Sequence, residues 1–302
     1  MSWLIFAFAG PVLWAVSMHI DKYLVERYFK EGNVAVLMVF TALIGALTMP
    51  MVWFFRPDVI LLPPVSAALI VLSGILYMGA IFFYLQALQT EEASTVAPFF
   101  QASGIFGLLL GYLFLGEKLS LLQVLGVVSI VAGSVLISLR LGKGAVRVKT
   151  RLVVLMLSCA LAIALSSFIF KFFAVQDDFW TTVFWSYGGD AVFGVTLLFI
   201  AKNRRQLVRM VRANTGAVLS INASNELINL GGSLGAGYAL ILAPLGVVQA
   251  IGSTTMFFVL GIGVVLSFFF PKLGKEETDA GSLMQKIIAI ILVAAGVAFV
   301  NR

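Results

Sequence analysis

The chain has 302 residues, 61% of them hydrophobic and 11% charged, with a net charge of +6 and a mean hydropathy of +1.06. Soluble domains are about 45–50% apolar with about 25% charged residues, so a soluble enzyme or module is excluded and the sequence reads as an integral membrane protein. The basic excess falls in short loops between apolar runs, where membrane orientation accounts for it and nucleic acid is excluded as a partner.

A spanning helix needs about 20 mostly apolar residues. Ten such runs follow one another, roughly 3–20, 33–55, 65–88, 95–115, 119–139, 152–172, 179–201, 216–240, 244–270 and 283–301. They use nearly the whole chain, and lipid leaves open backbone groups without partners, so each is expected to be a helix. The opening Met1-Ser2-Trp3-Leu4 lacks a basic n-region, so the first run is expected to stay as a helix.

In the first run Trp14 and Ser17 are spaced i, i+3, and His19, Asp21 and Lys22 lie near its end. A proton relay through His19 and Asp21 competes with ordinary hydrogen bonding there. The third run places Ser73, Tyr77 and Tyr84 at i, i+4 and i+11; the fourth places Ser94, Pro98 and Gln101 at i, i+4 and i+7. Amphipathic rings and amides on such faces can hold a small solute. Glu117 and Lys118 follow in a tight turn, where the acid is expected to stabilise the start of the fifth helix.

The sixth run carries the chain's one cysteine, Cys159, read as a small buried hydrophobe, and closes on Lys171. Lys171 is expected to reach out to water, with a pairing to Glu226 as the alternative. In the seventh run Asp190 shares a face with Thr182 and Ser186, and Gly188 and Gly189 before it admit a close neighbour. Trp185 stands on the same helix. The eighth run holds the densest polar stripe: Asn222, Asn225, Glu226 and Asn229, at i, i+3, i+4 and i+7, lie on one face near mid-membrane. A carboxylate there costs about 2.5–3.5 kcal/mol on insertion scales and by default marks a substrate or ion pathway. The ninth run brings Pro244 and Gln249. Pro11, Pro98 and Pro244 stand as hinges or as ordinary first-turn prolines.

Sixteen Lys and Arg fall on the odd-numbered loops, including Arg140–Arg151 and Lys202–Arg212; the other side has Arg56, Lys118, Lys171 and Arg302. This puts both termini outside the cytoplasm of a multi-pass protein of the plasma (inner) membrane.

The chain also repeats. Ser120-Leu121-Leu122-Gln123 returns as Ser282-Leu283-Met284-Gln285, and an offset of 149 carries Ser17 and Lys22 onto Ser166 and Lys171, and Ser73, Tyr77 and Tyr84 onto Asn222, Glu226 and Ser233. Two halves of five helices follow, 1–140 and 141–302. Five is odd, so the second half is inverted, an arrangement of secondary transporters with sites at the repeat interface. The expected fold is an all-α integral membrane protein of ten transmembrane helices in two inverted five-helix repeats.

Gly116-Glu117-Lys118-Leu119-Ser120-Leu121-Leu122-Gln123-Val124-Leu125-Gly126, with Val131-Ala132-Gly133 after it, resembles the signature between helices four and five of EamA-like members of the drug/metabolite transporter superfamily. Ala87-Leu88 through Ala93-Ser94-Thr95-Val96-Ala97-Pro98 resembles that family's third-to-fourth junction. The resemblance implies a cavity lined by helices one, three, four, six, eight and nine, with helices five and ten peripheral. Two departures stand out: Phe270-Pro271-Lys272-Leu273-Gly274-Lys275-Glu276-Glu277 replaces a second Gly-Glu-Lys turn, and many relatives have the opposite orientation.

These readings give a secondary transporter of a small metabolite, an amino acid or related solute, with export the family-level direction. Its binding candidates are Trp14, Ser17, Tyr77, Tyr84, Gln101, Asn222, Asn225, Glu226, Asn229 and Gln249, and Glu226 with Asp190 are the proton-coupling candidates. No cofactor or metal is expected, and a monomer or homodimer fits equally. A lipid-linked sugar flippase and a membrane enzyme acting on a lipid are the rivals. The adjacent acids Asp177-Asp178 and Glu276-Glu277 lie in loops and form no metal motif.

Overall fold

A computed structural model describes residues 2–28, 34–88, 99–138, 150–213, 216–269 and 280–301, and among them every regular element is helical. In chain order these are α1 (Ser2–Tyr28), α2 (Val34–Phe55), α3 (Pro64–Leu88), α4 (Ala102–Phe114), α5 (Leu121–Ser138) and α6 (Thr150–Gln176). There follow α7 (Phe179–Phe199), α8 (Ala201–Ala213), α9 (Ala217–Leu242), α10 (Leu245–Gly252), α11 (Thr255–Phe269) and α12 (Ala280–Val300). A 3-10 turn, Pro57–Leu61, joins α2 to α3.

Five segments are long and apolar enough to cross a bilayer: Trp3–Ile20, Met38–Phe55, Pro64–Ala87, Thr150–Gln176 and Leu245–Gly263; Phe179–Phe199 meets the same measure when joined to Ala201–Arg209, which is bent from it by 98°. The chain is a multi-pass membrane protein. Its outward face carries exposed Leu47, Phe54, Phe199 and Ile291, a surface water would not tolerate and lipid accepts.

Two elements differ from the sequence reading. Residues after 200, expected as a basic loop, form α8, set at 98° to α7. The ninth run, expected as one helix, breaks into α10 and α11 at Ser253 and Thr254. The cause is local. Ser253, Thr254 and Thr255 turn their hydroxyls back onto the carbonyls of Ala250, Ile251 and Gly252, at 2.6–2.7 Å, and so compete with the helical ladder. Pro98 and Glu276-Glu277 lie outside the described residues, as do the side chains of Asp21 and Lys22.

Small residues set the packing, as expected where lipid removes the hydrophobic drive between helices. The α5 helix packs chiefly on α12, α1 on α9 and α11, α3 on α6 and α7, α2 on α7, and α4 on α10 and α6. At the α5–α12 contact a Cβ on Gly126 would stand 2.8 Å from the Gly296 carbonyl. The Gly231, Gly232 and Gly235 face of α9 meets Leu13, Trp14 and Ala9 of α1, so its neighbour belongs to the same chain.

Candidate functional site

The polar stripe of α9 is buried as its spacing requires. Asn222 and Asn225 are within 1% of complete burial and Glu226 is 7% exposed, while Asn229, one turn on, is half-buried. Asn229 donates to the Glu226 carboxyl from within the helix, and Thr41 of α2 donates to Glu226 Oε1 at 2.6 Å. Further along the same face, Ser233 hydrogen-bonds the phenols of Tyr77 on α3 and Tyr187 on α7.

Asp190 is the second carboxyl of this cluster, near enough to Glu226, Tyr77 and Tyr187 for direct electrostatic interaction. Its position follows from the close approach of α3 and α7. A Cβ on Gly74 would fall 2.0 Å from the Ser186 carbonyl and 2.9 Å from Asp190 Oδ1; one on Gly189 would fall 2.0 Å from the Val71 carbonyl. Only glycine lets these backbones touch. On the other side the Asp190 carboxyl faces Gly45 of α2, where a Cβ would stand 4.0 Å from Oδ2. Asp190 is 8% exposed and its Oδ1 has no hydrogen-bond partner. Of its expected face-mates, Ser186 accepts a 3.3 Å hydrogen bond from Ser73 and Thr182 donates to the Asp178 carbonyl at 2.8 Å, while Trp185 donates to the Val59 carbonyl at 2.9 Å.

The structure therefore gathers Tyr77, Asp190, Glu226 and Asn229 and adds Thr41, Tyr187 and Ser233, which the sequence reading did not propose as site residues. Both polar atoms of the Asn222 side chain are buried without a partner, as are Gln101 Oε1 and the Trp14 indole N–H. Such orphans are costly in a folded protein unless a ligand or water meets them. Trp14 lies between Gly10 and Gly232 at the α1–α9 contact. Ser17 is buried on α1. Tyr84 sits against Phe100, ring centroids 4.7 Å apart, in an apolar cluster with Met156 and Cys159. Gln249 packs on Gly107 where α4 meets α10.

Lys171 overturns both readings given to it. It is buried rather than solvated, and its partner is Glu117, not Glu226: Nζ lies 2.5 Å from Glu117 Oε1 and donates to the Ala243 carbonyl at 2.6 Å. Glu117 Oε2 accepts the Leu245 N–H at 2.8 Å. The acid thus caps α10 rather than its own neighbour α5, whose first turn is closed by reciprocal bonds between Ser120 and Gln123. Gly116, with φ +66°, supplies the left-handed turn that aims Glu117 inward.

His19 Nε2–H donates to the Val259 carbonyl at 3.0 Å. It serves α11, and the Asp21 side chain, the other member of the expected relay, lies outside the described residues. In the loop after α2, Arg56 pairs with Asp58 at 3.0 Å and with Asp178 at 3.6 Å. The hydrogen bond from Arg56 holds the Asp58 carboxyl below its ordinary range. Asp178 also accepts the Thr181 N–H at 2.9 Å as the N-cap of α7.

Residues 1–139 match the EamA-like transporter family. A Sinorhizobium sp protein named "Uncharacterized transporter in cobO 3'region" is 40% identical over 67 residues, 22% of this chain. That match spans about half, 48%, of the curated relative's length. A solved structure described as "Crystal structure of protein" shares the fold with a TM-score of 0.62 at 16% identity, over 99% of this chain and 96% of that one.

Proposed function

We propose, from the premise that residues 1–139 are EamA-like transporter sequence, that the whole chain is a secondary active transporter exporting an amino acid or related small organic solute across the plasma membrane. The two five-helix halves, 1–140 and 141–302, form an inverted repeat of ten spans and alternate access to a shared site, with both termini extracytoplasmic. Protons couple to the movement through Glu226 and Asp190. The transporter name of the Sinorhizobium relative supports this class.

The observation that carries the reading is the buried carboxyl pair. Two acids at membrane depth, with Lys171 already held by Glu117, need a proton or a cationic group to offset them. Around them stand phenols, amides and hydroxyls, which suit a zwitterion or cation better than a polyanion.

Helix neighbours support the inverted repeat. Exchanging each helix for its counterpart turns the α1–α9 contact into α3–α6 and the α4–α6 contact into α1 with α10 and α11, and it returns α2–α7, α4–α10 and α5–α12 to themselves. One pair departs: α3 and α7 are tightly joined, while α2 and α9 touch slightly. The offset of 149 explains it, because Gly74 and Gly189 correspond to Ala223 and Phe40, which keep backbones apart. The looser seam is where Thr41 meets Glu226. The broken α10–α11 helix adds the kind of discontinuity that transporters place beside their sites.

The test is proton movement in liposomes containing the purified protein, challenged with pools of amino acids, amines and sugars, with Glu226→Gln alongside. A flux raised by one pool and lost in the variant is expected. Solute movement without protons overturns the coupling; no movement with any pool overturns the transporter reading of these solutes.

A further inference from the structure

The 13 residues of α8 carry Lys202, Arg204, Arg205, Arg209 and Arg212 and no acid. Orientation in the membrane requires only that such charges lie in a loop. Here they are ordered on a helix and sorted to one face. Asn203 is buried and Gln206 and Leu207 are half-buried, whereas Lys202, Arg204, Arg205 and Arg209 are exposed.

The direction of α8 is fixed as well. The 21 residues of α7 rise about 31 Å, the thickness of a hydrocarbon core. A helix leaving its end at 98° therefore runs along the membrane surface. Five cations bar it from turning back into lipid. Asn203 locks the corner: its amide donates to the Leu197 carbonyl at 3.0 Å, and its backbone N–H donates to the Ile200 carbonyl at 3.0 Å. The cations are thus held at the depth of phosphate headgroups. Among the described residues none of Lys202, Arg204, Arg205 and Arg209 is paired with a carboxylate.

We propose that the cationic face of α8 is a binding surface for the phosphate headgroups of anionic phospholipids, anchoring the α7 end of the bundle to the membrane surface. Charge complementarity selects the occupant. The bent corner presents four exposed cations in the plane where anionic headgroups lie, and an amphipathic helix in that plane gains from each of them. This surface is independent of whatever the protein transports.

The experiment uses the full chain in neutral detergent, with phosphatidylglycerol or phosphatidylcholine added in mixed micelles. Retained lipid is counted by mass spectrometry of the intact protein and thermal stability is followed in parallel. Phosphatidylglycerol is expected to be retained and to raise the melting temperature, and added salt is expected to reverse both. The combined Arg204→Gln, Arg205→Gln and Arg209→Gln variant loses about five-fold in affinity per charge, and Lys118→Gln, on another loop, binds as the parent does. Equal retention of both lipids overturns the proposal. So does undiminished retention in the triple variant, or protection by inorganic phosphate alone. If the triple variant does not fold, the salt titration of the parent decides: salt-insensitive retention of phosphatidylglycerol overturns the surface.

Discussion

Thr41 donates a 2.6 Å hydrogen bond to Glu226, and 149 residues beyond Thr41 stands Asp190, beside Tyr77, which itself lies 149 residues before Glu226. The two pairs exchange under the offset of 149 that the proposed repeat uses. One pair is a hydroxyl on a carboxylic acid in the looser seam, and the other is an acid near a phenol in the tighter one. Removing the Thr41 hydroxyl leaves Glu226 with one fewer donor at a cost of about 1–1.5 kcal/mol. Thr41→Val is therefore expected to reduce solute-driven proton flux by about ten-fold while Thr41→Ser retains it, measured in proteoliposomes. Equal flux in the valine and serine variants would remove Thr41 from the site.

Asp190 is placed by glycines, and that dependence is testable without knowing the substrate. Gly189→Ala drives a methyl into the Val71 carbonyl, and neither backbone can yield without parting α3 from α7. Overpacking of this kind costs about 1–3 kcal/mol or more. Gly79→Ala, on α3, meets nothing within 4 Å and removes a flexible helical glycine, so it is expected to be neutral or to stabilise by about 0.5–1 kcal/mol. Thermal unfolding in detergent separates the two. Similar melting temperatures would mean that the α3–α7 contact is not tight.

Much of this site was legible because a polar residue in an apolar run has nowhere to hide. Glu226, Asp190 and the three Asn residues of α9 stand out in sequence, and helical spacing puts the stripe on one face. Thr41 and Ser233 do not stand out. A single hydroxyl can satisfy itself on its own helix, and only the approach of α2 and α3 gives these two their partners. Lys171 was misread for a related reason. A lysine near a run's end usually reaches water, and nothing local shows that the Glu117 turn folds over it from another half of the chain. The sequence of α8 alternates apolar and basic residues at helical spacing, but a search for long apolar runs passes over it. The break after Gly252 was written in the consecutive Ser253, Thr254 and Thr255.

Gly116 is the one described residue with positive φ. A side chain there costs about 1–2 kcal/mol in the left-handed region, and the turn it forms carries Glu117. Gly116→Ala is expected to lower the melting temperature, while Gly116→Asn, which tolerates that region better, falls between alanine and the parent. A neutral alanine variant would show that the turn relaxes without strain.

Glu117 and Lys171 form the tightest and most buried of the described ion pairs, and its removal should be strongly non-additive. Each group is nearly buried, with side-chain exposures of 13% and 11%, and each has a second bond, to Leu245 N–H and to the Ala243 carbonyl. Deleting one partner strands the other charge in apolar surroundings, which costs about 3–5 kcal/mol. Glu117→Gln keeps an acceptor for Leu245 but leaves the Lys171 ammonium unpaired; Lys171→Met leaves the carboxylate unpaired but still capping α10. Both singles are expected to unfold at lower temperature than the Glu117→Gln, Lys171→Met double variant, which strands no charge. The three helices joined here, α6, α9 and α10, meet the turn before α5, so the tie spans the two proposed halves. In the proposed alternation of the two halves, a rocking motion of one on the other would have to stretch or carry it. In a cysteine background, cross-linking position 117 to 171 is then expected to stop solute flux while leaving the fold intact, and uninterrupted flux in the cross-linked protein would show that this end of the bundle moves as one body.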